Sequence, residues 1–267
     1  MRRFIGLMAA LLLIPPAFPA IFGFRKGPGN GGATITLRKR LHINTLITEP
    51  GTVEIDWGSL YSFGTTAFSM PAALKYTPRG THIYWGRTEF AVAFDSITNS
   101  GTTVGRATQF SQTLTFAATA VLHDGDKLDI ALAPQATVFL RDEEGARLGA
   151  VAIARYDTGK SSIGTSLAWS GATHSSDSNP AGTFDLGLGF GRRLAAGGLL
   201  GKFTPHVNTV LEGSTGQRRI VSTFEGVEYQ ITEQLAFDLA GQNLAVHGGS
   251  LENQIVFGIT YNFGKPQ

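Results

Sequence analysis

The side chains best equipped for chemistry are the six histidines, because the chain contains no cysteine. His206 stands out among them. It lies in GKFTPHVNTVLEG, where Lys202, Thr204, His206, Asn208 and Glu212 share one row of a period-two pattern. A catalytic histidine needs an activated hydroxyl on a neighbouring strand and a group that orients its ring. The sequence places no closely following serine on the same strand face, so His206 reads as one hydrogen-bonding member of a polar row. His247 and Ser250 share a glycine-rich loop, where a precise triad is hard to hold. His123, Asp124 and Asp126 of HDGD offer three metal-ligand atoms, but the same residues make a tight hairpin turn more economically. GFGRR at 189–193 lacks the following helix that a phosphate loop requires. The expectation is therefore no enzyme, no metal site and no cofactor.

The composition narrows the class. In 267 residues only 16% are charged, while glycine reaches 34 and the hydrophobic fraction is 42%. Low charge with abundant glycine and no long apolar block fits neither a helical membrane protein nor a disordered chain. A net charge of +2 with scattered Lys and Arg gives no footprint for nucleic acid. Without cysteine there are no disulfides, no thiol nucleophiles and no thiolate zinc sites.

At the start, Arg2 and Arg3 precede the apolar run Phe4–Ile14, then two prolines and AFPA at 17–20. A basic start, a short apolar stretch and a Pro/Ala exit describe a secretory signal over residues 1–20, cleaved between 17 and 24. As a helix the apolar run reaches only ~16 Å, too short for a hydrocarbon core of ~30 Å. A retained N-terminal anchor is the alternative. Residues 25–48 are basic and glycine-rich, which predicts a flexible periplasmic leader.

From residue 49 to 263 the chain alternates apolar and small or polar residues between turn signals. Phe184, Leu186, Leu188 and Phe190 oppose Asp185, Gly187, Gly189 and Gly191, which is the pattern of a half-buried strand. Twelve such segments are predicted, near 51–62, 66–76, 81–95, 107–122, 127–140, 145–156, 160–171, 182–193, 200–212, 217–231, 234–246 and 253–263. Connections such as HDGD and DTGK (157–160) are tight, whereas 96–106, 172–181 and 246–253 are longer and rich in Ser, Thr and Asn. Short turns at one end and longer polar loops at the other describe an antiparallel transmembrane β-barrel with both termini on the periplasmic side. Trp57, Tyr61, Tyr76, Trp85, Tyr156, Trp169, Tyr229 and Tyr261 are read as girdle residues near segment ends. A secreted soluble sandwich would carry more charge on its outward rows.

A charge facing lipid at mid-membrane costs about 2–4 kcal/mol, so mid-strand charges are expected to face the lumen. Glu54, Asp56, Arg87, Glu89, Asp129, Arg147, Arg155, Asp185, Lys202, His206, Glu212, Arg219, Glu225 and Asp238 form that lumen set. Mixed charges can pair and fill the interior or leave a narrow polar path; twelve strands give a width compatible with both.

The ending is more specific. In QIVFGITYNF (254–263), Gly258, Tyr261 and Phe263 resemble the terminal signal read by the outer-membrane barrel-assembly machinery, although the tail 264–267 follows it. EPGTVEIDWGSLYSF (49–63), FSMPAALKYTPRG (68–80) and GVEYQITEQLAFDLAGQ (226–242) look like the outer-membrane family described as the MetA-pathway of phenol degradation. That resemblance spans about residues 45–264 and implies a small barrel in the cell outer membrane, labelled a transporter, passing small and in some cases aromatic compounds. Passive solute transfer is the expected function. A non-conducting structural barrel and an outer-membrane lipid-modifying enzyme are the alternatives.

If the last strand closes the barrel, Phe263→Ala lowers the folded fraction on a heat-modifiability gel, whereas deleting 264–267 leaves it unchanged. The opposite ranking removes the terminal-strand reading.

Overall fold

The computed structural model describes residues 47–48, 50–63, 68–79, 87–102, 105–110, 113–140, 145–175, 180–195, 197–216, 219–246 and 251–263. The signal, the leader up to residue 46, Trp85, the 247–250 loop with His247 and Ser250, and the 264–267 tail lie outside them. Thirteen strands follow one another: β1 Thr52–Ser62, β2 Phe68–Thr77, β3 Thr88–Thr102, β4 Gly105–Phe110, β5 Thr113–Asp124, β6 Leu128–Phe139 and β7 Ala146–Asp157. The second half comprises β8 Ser161–Ala172, β9 Gly182–Arg192, β10 Phe203–Ser214, β11 Ile220–Gln230, β12 Leu235–Val246 and β13 Leu251–Phe263.

β4 pairs with the far half of β3 (Ile97↔Phe110) and β5 with its near half (Phe94↔Leu114), so β4 and β5 together form one stave. Neighbouring strands pair antiparallel around the wall, and β1 pairs with β2 on one side and with β13 on the other. The result is a closed twelve-stave antiparallel β-barrel. Val53 opposite Phe263 puts the start of β1 and the finish of β13 at the same end.

Most strand limits fall within about two residues of those read from alternation, and four do not, among them that of β11, which begins at Ile220 instead of 217. Residues 96–102 and 105–106, expected as loop, extend β3 and β4 into a long hairpin, because Ser, Thr and Asn still make ladder bonds (Thr102↔Gly105). β3 begins at Thr88 instead of 81, and Leu200–Lys202 is a 3-10 turn ahead of β10. The leader is not free up to its end. Ile47 and Thr48 are buried; the Thr48 N–H donates to Glu89 Oε2 at 2.8 Å, and its hydroxyl lies 2.7 Å from that of Thr77.

Burial alternates along the staves as the pleat demands. On β9 the row Thr183, Asp185, Gly187, Gly189 and Gly191 is buried, while Phe184, Leu188 and Phe190 are exposed. The same alternation sets Ile55, Trp57 and Tyr61 outward on β1 and Ile255, Tyr261 and Phe263 outward on β13. An outer wall of exposed Leu, Ile, Phe and Tyr has no solvent that suits it except lipid. Among the described residues no helix is long and apolar enough to span a membrane. Tyr61, Tyr76, Tyr156, Tyr229 and Tyr261 stand near strand ends, but Trp57 sits at the centre of β1.

Close approach and turn geometry decide two glycines. A Cβ on Gly149 would lie 2.1 Å from the Trp169 carbonyl oxygen, so β7 and β8 could not keep their spacing with a side chain there. Gly159 has φ of 79°, and its N–H donates to the Asp157 carboxylate in the tight DTGK turn.

Leu188 is 55% exposed at mid-strand, whereas its neighbour Gly187 is buried on the inner row. Leu188→Arg is expected to cost about 2–4 kcal/mol of insertion free energy and to lower the folded fraction in lipid vesicles. Gly187→Ser should leave that fraction unchanged. Equal behaviour of the two variants would reverse the facing of β9.

Candidate functional site

The buried polar rows face the barrel interior, and their side chains come from successive staves at matched register. On the β1–β2 wall, Lys75 is the pivot. Its Nζ lies 2.7 Å from Asp56 Oδ2 and 3.4 Å from Glu54 Oε1, with the lysine side chain 3% exposed. Thr260 on β13 donates its hydroxyl to Asp56 Oδ1 at 2.9 Å, which ties the closing strand into the same cluster. Glu89 on β3 is buried and receives the Thr48 N–H. Two carboxylates beside one ammonium satisfy what an isolated buried charge could not.

Across the barrel, β6 and β7 place Asp129 opposite Arg155, with Nη2 3.0 Å from Oδ2. Arg147, farther along β7, donates to Ser170 Oγ at 3.2 Å and to the Pro180 carbonyl at 3.0 Å. Asp185 is buried on the inner row of β9. On β10 to β12, His206 Nε2 lies 3.9 Å from Asp238 Oδ1 and has no hydrogen-bond partner. A Cβ on Gly226, the register partner of His206, would come within 2.9 Å of that nitrogen, so the glycine makes room for the ring. Glu212 and Asp238 are half-buried on inner rows.

Four members of the expected lumen set stand elsewhere. Arg87 precedes β3 at the rim, paired with Asp124 at 2.7 Å. Lys202 is exposed in the 3-10 turn and donates to the Ile231 carbonyl at 2.7 Å, because β10 begins one residue after it. Arg219 is exposed just before β11. Glu225 is exposed on the outward row of β11 with Val221, Thr223, Val227 and Tyr229, since Ser222 and Phe224 take the inside. Alternation, not charge, sets the facing of β11.

Several inward residues were absent from the expected set. Lys75 was legible, because Leu74 and Tyr76 on either side of it are outward; Glu228 is inward by the same parity as Phe224. Gln135, Gln242 and Gln254 are buried, and neither amide atom of any of them has a hydrogen-bond partner; Asn208, which was placed on the polar row, is in the same state. Three of these amides follow one register line, Asn208↔Phe224↔Gln242↔Gln254. Nor is the interior wholly polar. Leu60, Val210, Phe224 and Val256 form one apolar cluster inside, and Ala133, Val151 and Ala168 form another.

Chemically the arrangement offers fixed charges, amides and an aromatic face. Among the described residues no group of three metal-ligating side chains converges. Arg155→Met leaves Asp129 buried without its cation and is expected to cost about 3 kcal/mol. Guanidinium unfolding in detergent measures this, and adding Asp129→Leu should recover most of the loss. If the single variant unfolds at the wild-type midpoint, the pair is not a structural tie.

No family model matches the chain, and no curated protein matches it in sequence. Among solved structures it is similar to an outer membrane channel from Pseudomonas putida F1 at 12% identity and a TM-score of 0.58, covering 81% of this chain and 97% of that one. It is also similar to the NanC porin, at 11% identity and a TM-score of 0.56, covering 78% and 98%. The KdgM porin, solved also with disordered oligogalacturonate, matches at 10% identity and a TM-score of 0.53, covering 79% and 99%. At such identities the likeness is one of fold: this chain shares the closed β-barrel fold of these outer-membrane proteins.

Proposed function

We propose that this protein is a passive channel of the cell outer membrane that lets small solutes cross along the barrel interior. The observation that carries the reading is the division of one closed wall into an apolar outer surface and an inner surface of charges and amides. Among the described residues, the inward carboxylates Glu54, Asp56, Glu89, Asp129, Asp185, Glu212, Glu228 and Asp238 outnumber the inward cations Lys75, Arg147 and Arg155. Such a path favours cations and neutral solutes over anions. It is opposite in sign to what a polyanion such as oligogalacturonate would require. The resemblance to the MetA-pathway family adds small aromatic compounds as candidates, which are compatible with this lining when uncharged. On the same reading, the barrel-assembly machinery recognises β13 through Gly258, Tyr261 and Phe263.

A non-conducting structural barrel is the second reading, favoured by how deeply the inner rows are buried. Glu89 is 2% exposed and Asp56 also 2%, and Ile47 and Thr48 are buried beside them. Conductance in planar bilayers with a salt gradient separates the two. The channel reading expects discrete current steps and a reversal potential on the cation-selective side. Currents no larger than those of a protein-free bilayer remove the channel and leave the structural barrel; anion selectivity removes the assignment of lumen sign.

A further inference from the structure

The outer wall carries one patch that does not suit lipid. Thr209, Thr223, Asn243 and Asn253 are consecutive register partners across β10, β11, β12 and β13, all on outward rows. Glu225 lies one outward position along β11, between Val207 and Gly241. Glu225, Gly241, Asn243 and Asn253 are exposed, and the two threonines are half-buried. Glu225 is the central residue of β11, with Tyr229 towards the terminal end and Val221 towards the loop end.

The contrast with the other side of the barrel is plain. The outward rows of β6 to β9 carry no charge short of Arg192 at the very end of β9, and the mid-strand Thr165 of β8 hides its hydroxyl in a 3.1 Å bond to the Gly187 carbonyl. Among the described residues, no hydrogen bond or ion pair is made by the side chains of Thr209, Thr223, Glu225, Asn243 or Asn253. A carboxylate and amides with no partner are costly in hydrocarbon and ordinary at a protein contact.

We infer that the β10–β13 wall is an interface on which a second copy of this chain docks in the membrane. The chemistry of the patch selects the occupant. Hydroxyls and amides each donate and accept, so the patch can satisfy an identical copy of itself, as a two-fold interface requires. Its donors also give the Glu225 carboxylate the partners its own chain does not supply. Gly241 has open space around its position and, with the threonines, keeps the wall low enough for two barrels to approach closely. An axis along the membrane normal brings equal heights together, so polar rows meet polar rows. The inference stands whether or not the lumen conducts.

The chain's lack of cysteine makes the test clean, because a single introduced thiol can form only an intermolecular disulfide. Thr223→Cys should give a disulfide dimer in oxidised outer membranes, at least five times more than Leu148→Cys on the outward row of β7. Glu225→Leu added to Thr223→Cys should reduce that dimer several-fold with an unchanged folded fraction on a heat-modifiability gel. Dimer yields equal for the two single variants would overturn the inference. So would a Glu225→Leu variant that folds better and cross-links as before, since the patch would then face lipid. A Thr223→Cys product of another mass would assign the wall to a different protein and reject the second copy.

Discussion

Closure of the wall is the constraint on which everything else depends. A strand in hydrocarbon cannot leave N–H and C=O groups unpaired, and only a ring of strands leaves none at an edge. Here the ring is completed by the long ladder from Val53↔Phe263 to Ser62↔Gln254. Once it is closed, each residue has only two destinations, inside or outside. The Lys75 cluster, the Arg155–Asp129 pair and the buried amides are what the inside destination collects. Thr260 reaching Asp56 shows polar closure accompanying backbone closure, because that bond joins the last strand to the first.

The interior is therefore organised by pairing more than by openness. Among the described residues, each basic side chain on an inner row has an acidic or carbonyl partner, while the acids exceed the bases. Glu212, Glu228 and Asp238 share the inner rows of the β10–β12 wall with His206, whose Nε2 lies 3.9 Å from Asp238 Oδ1. The apolar clusters around Phe224 and Val151 interrupt this polar lining, so a solute crossing the barrel would meet charged, amide and hydrocarbon surface in turn.

Much of this was legible in the sequence, for a simple reason. A period of two is hard to miss where one face must be apolar, and β9 spells it out residue by residue. Failures came where another rule intruded. Glu225 was placed inside because a charge in lipid is costly, yet Val221, Val227 and Tyr229 on its own row fix the strand the other way. Lys202 was assigned to a strand that starts one residue later. The β3–β4 hairpin reads as loop in sequence, since Ser, Thr, Asn and Gly carry turn signals even when they form a ladder. Lys75 escaped notice although its neighbours declared its facing. The pairings themselves, such as Lys75 with both Glu54 and Asp56, depend on register between strands, which alternation within one strand does not encode.

The inner row of β9 runs Asp185, Gly187, Gly189, Gly191 and lies against Ser162, Gly164 and Ser166 of β8. Over these two staves the barrel is lined by backbone and small hydroxyls. Ion pairs and apolar clusters take up much of the side-chain bulk on the other walls, but from Gly187 to Gly191 that bulk is nearly zero. This panel is consequently the natural dial for the bore. A graded series of larger residues along it would change the calibre of the barrel stepwise while leaving the electrostatic ties on the facing walls intact.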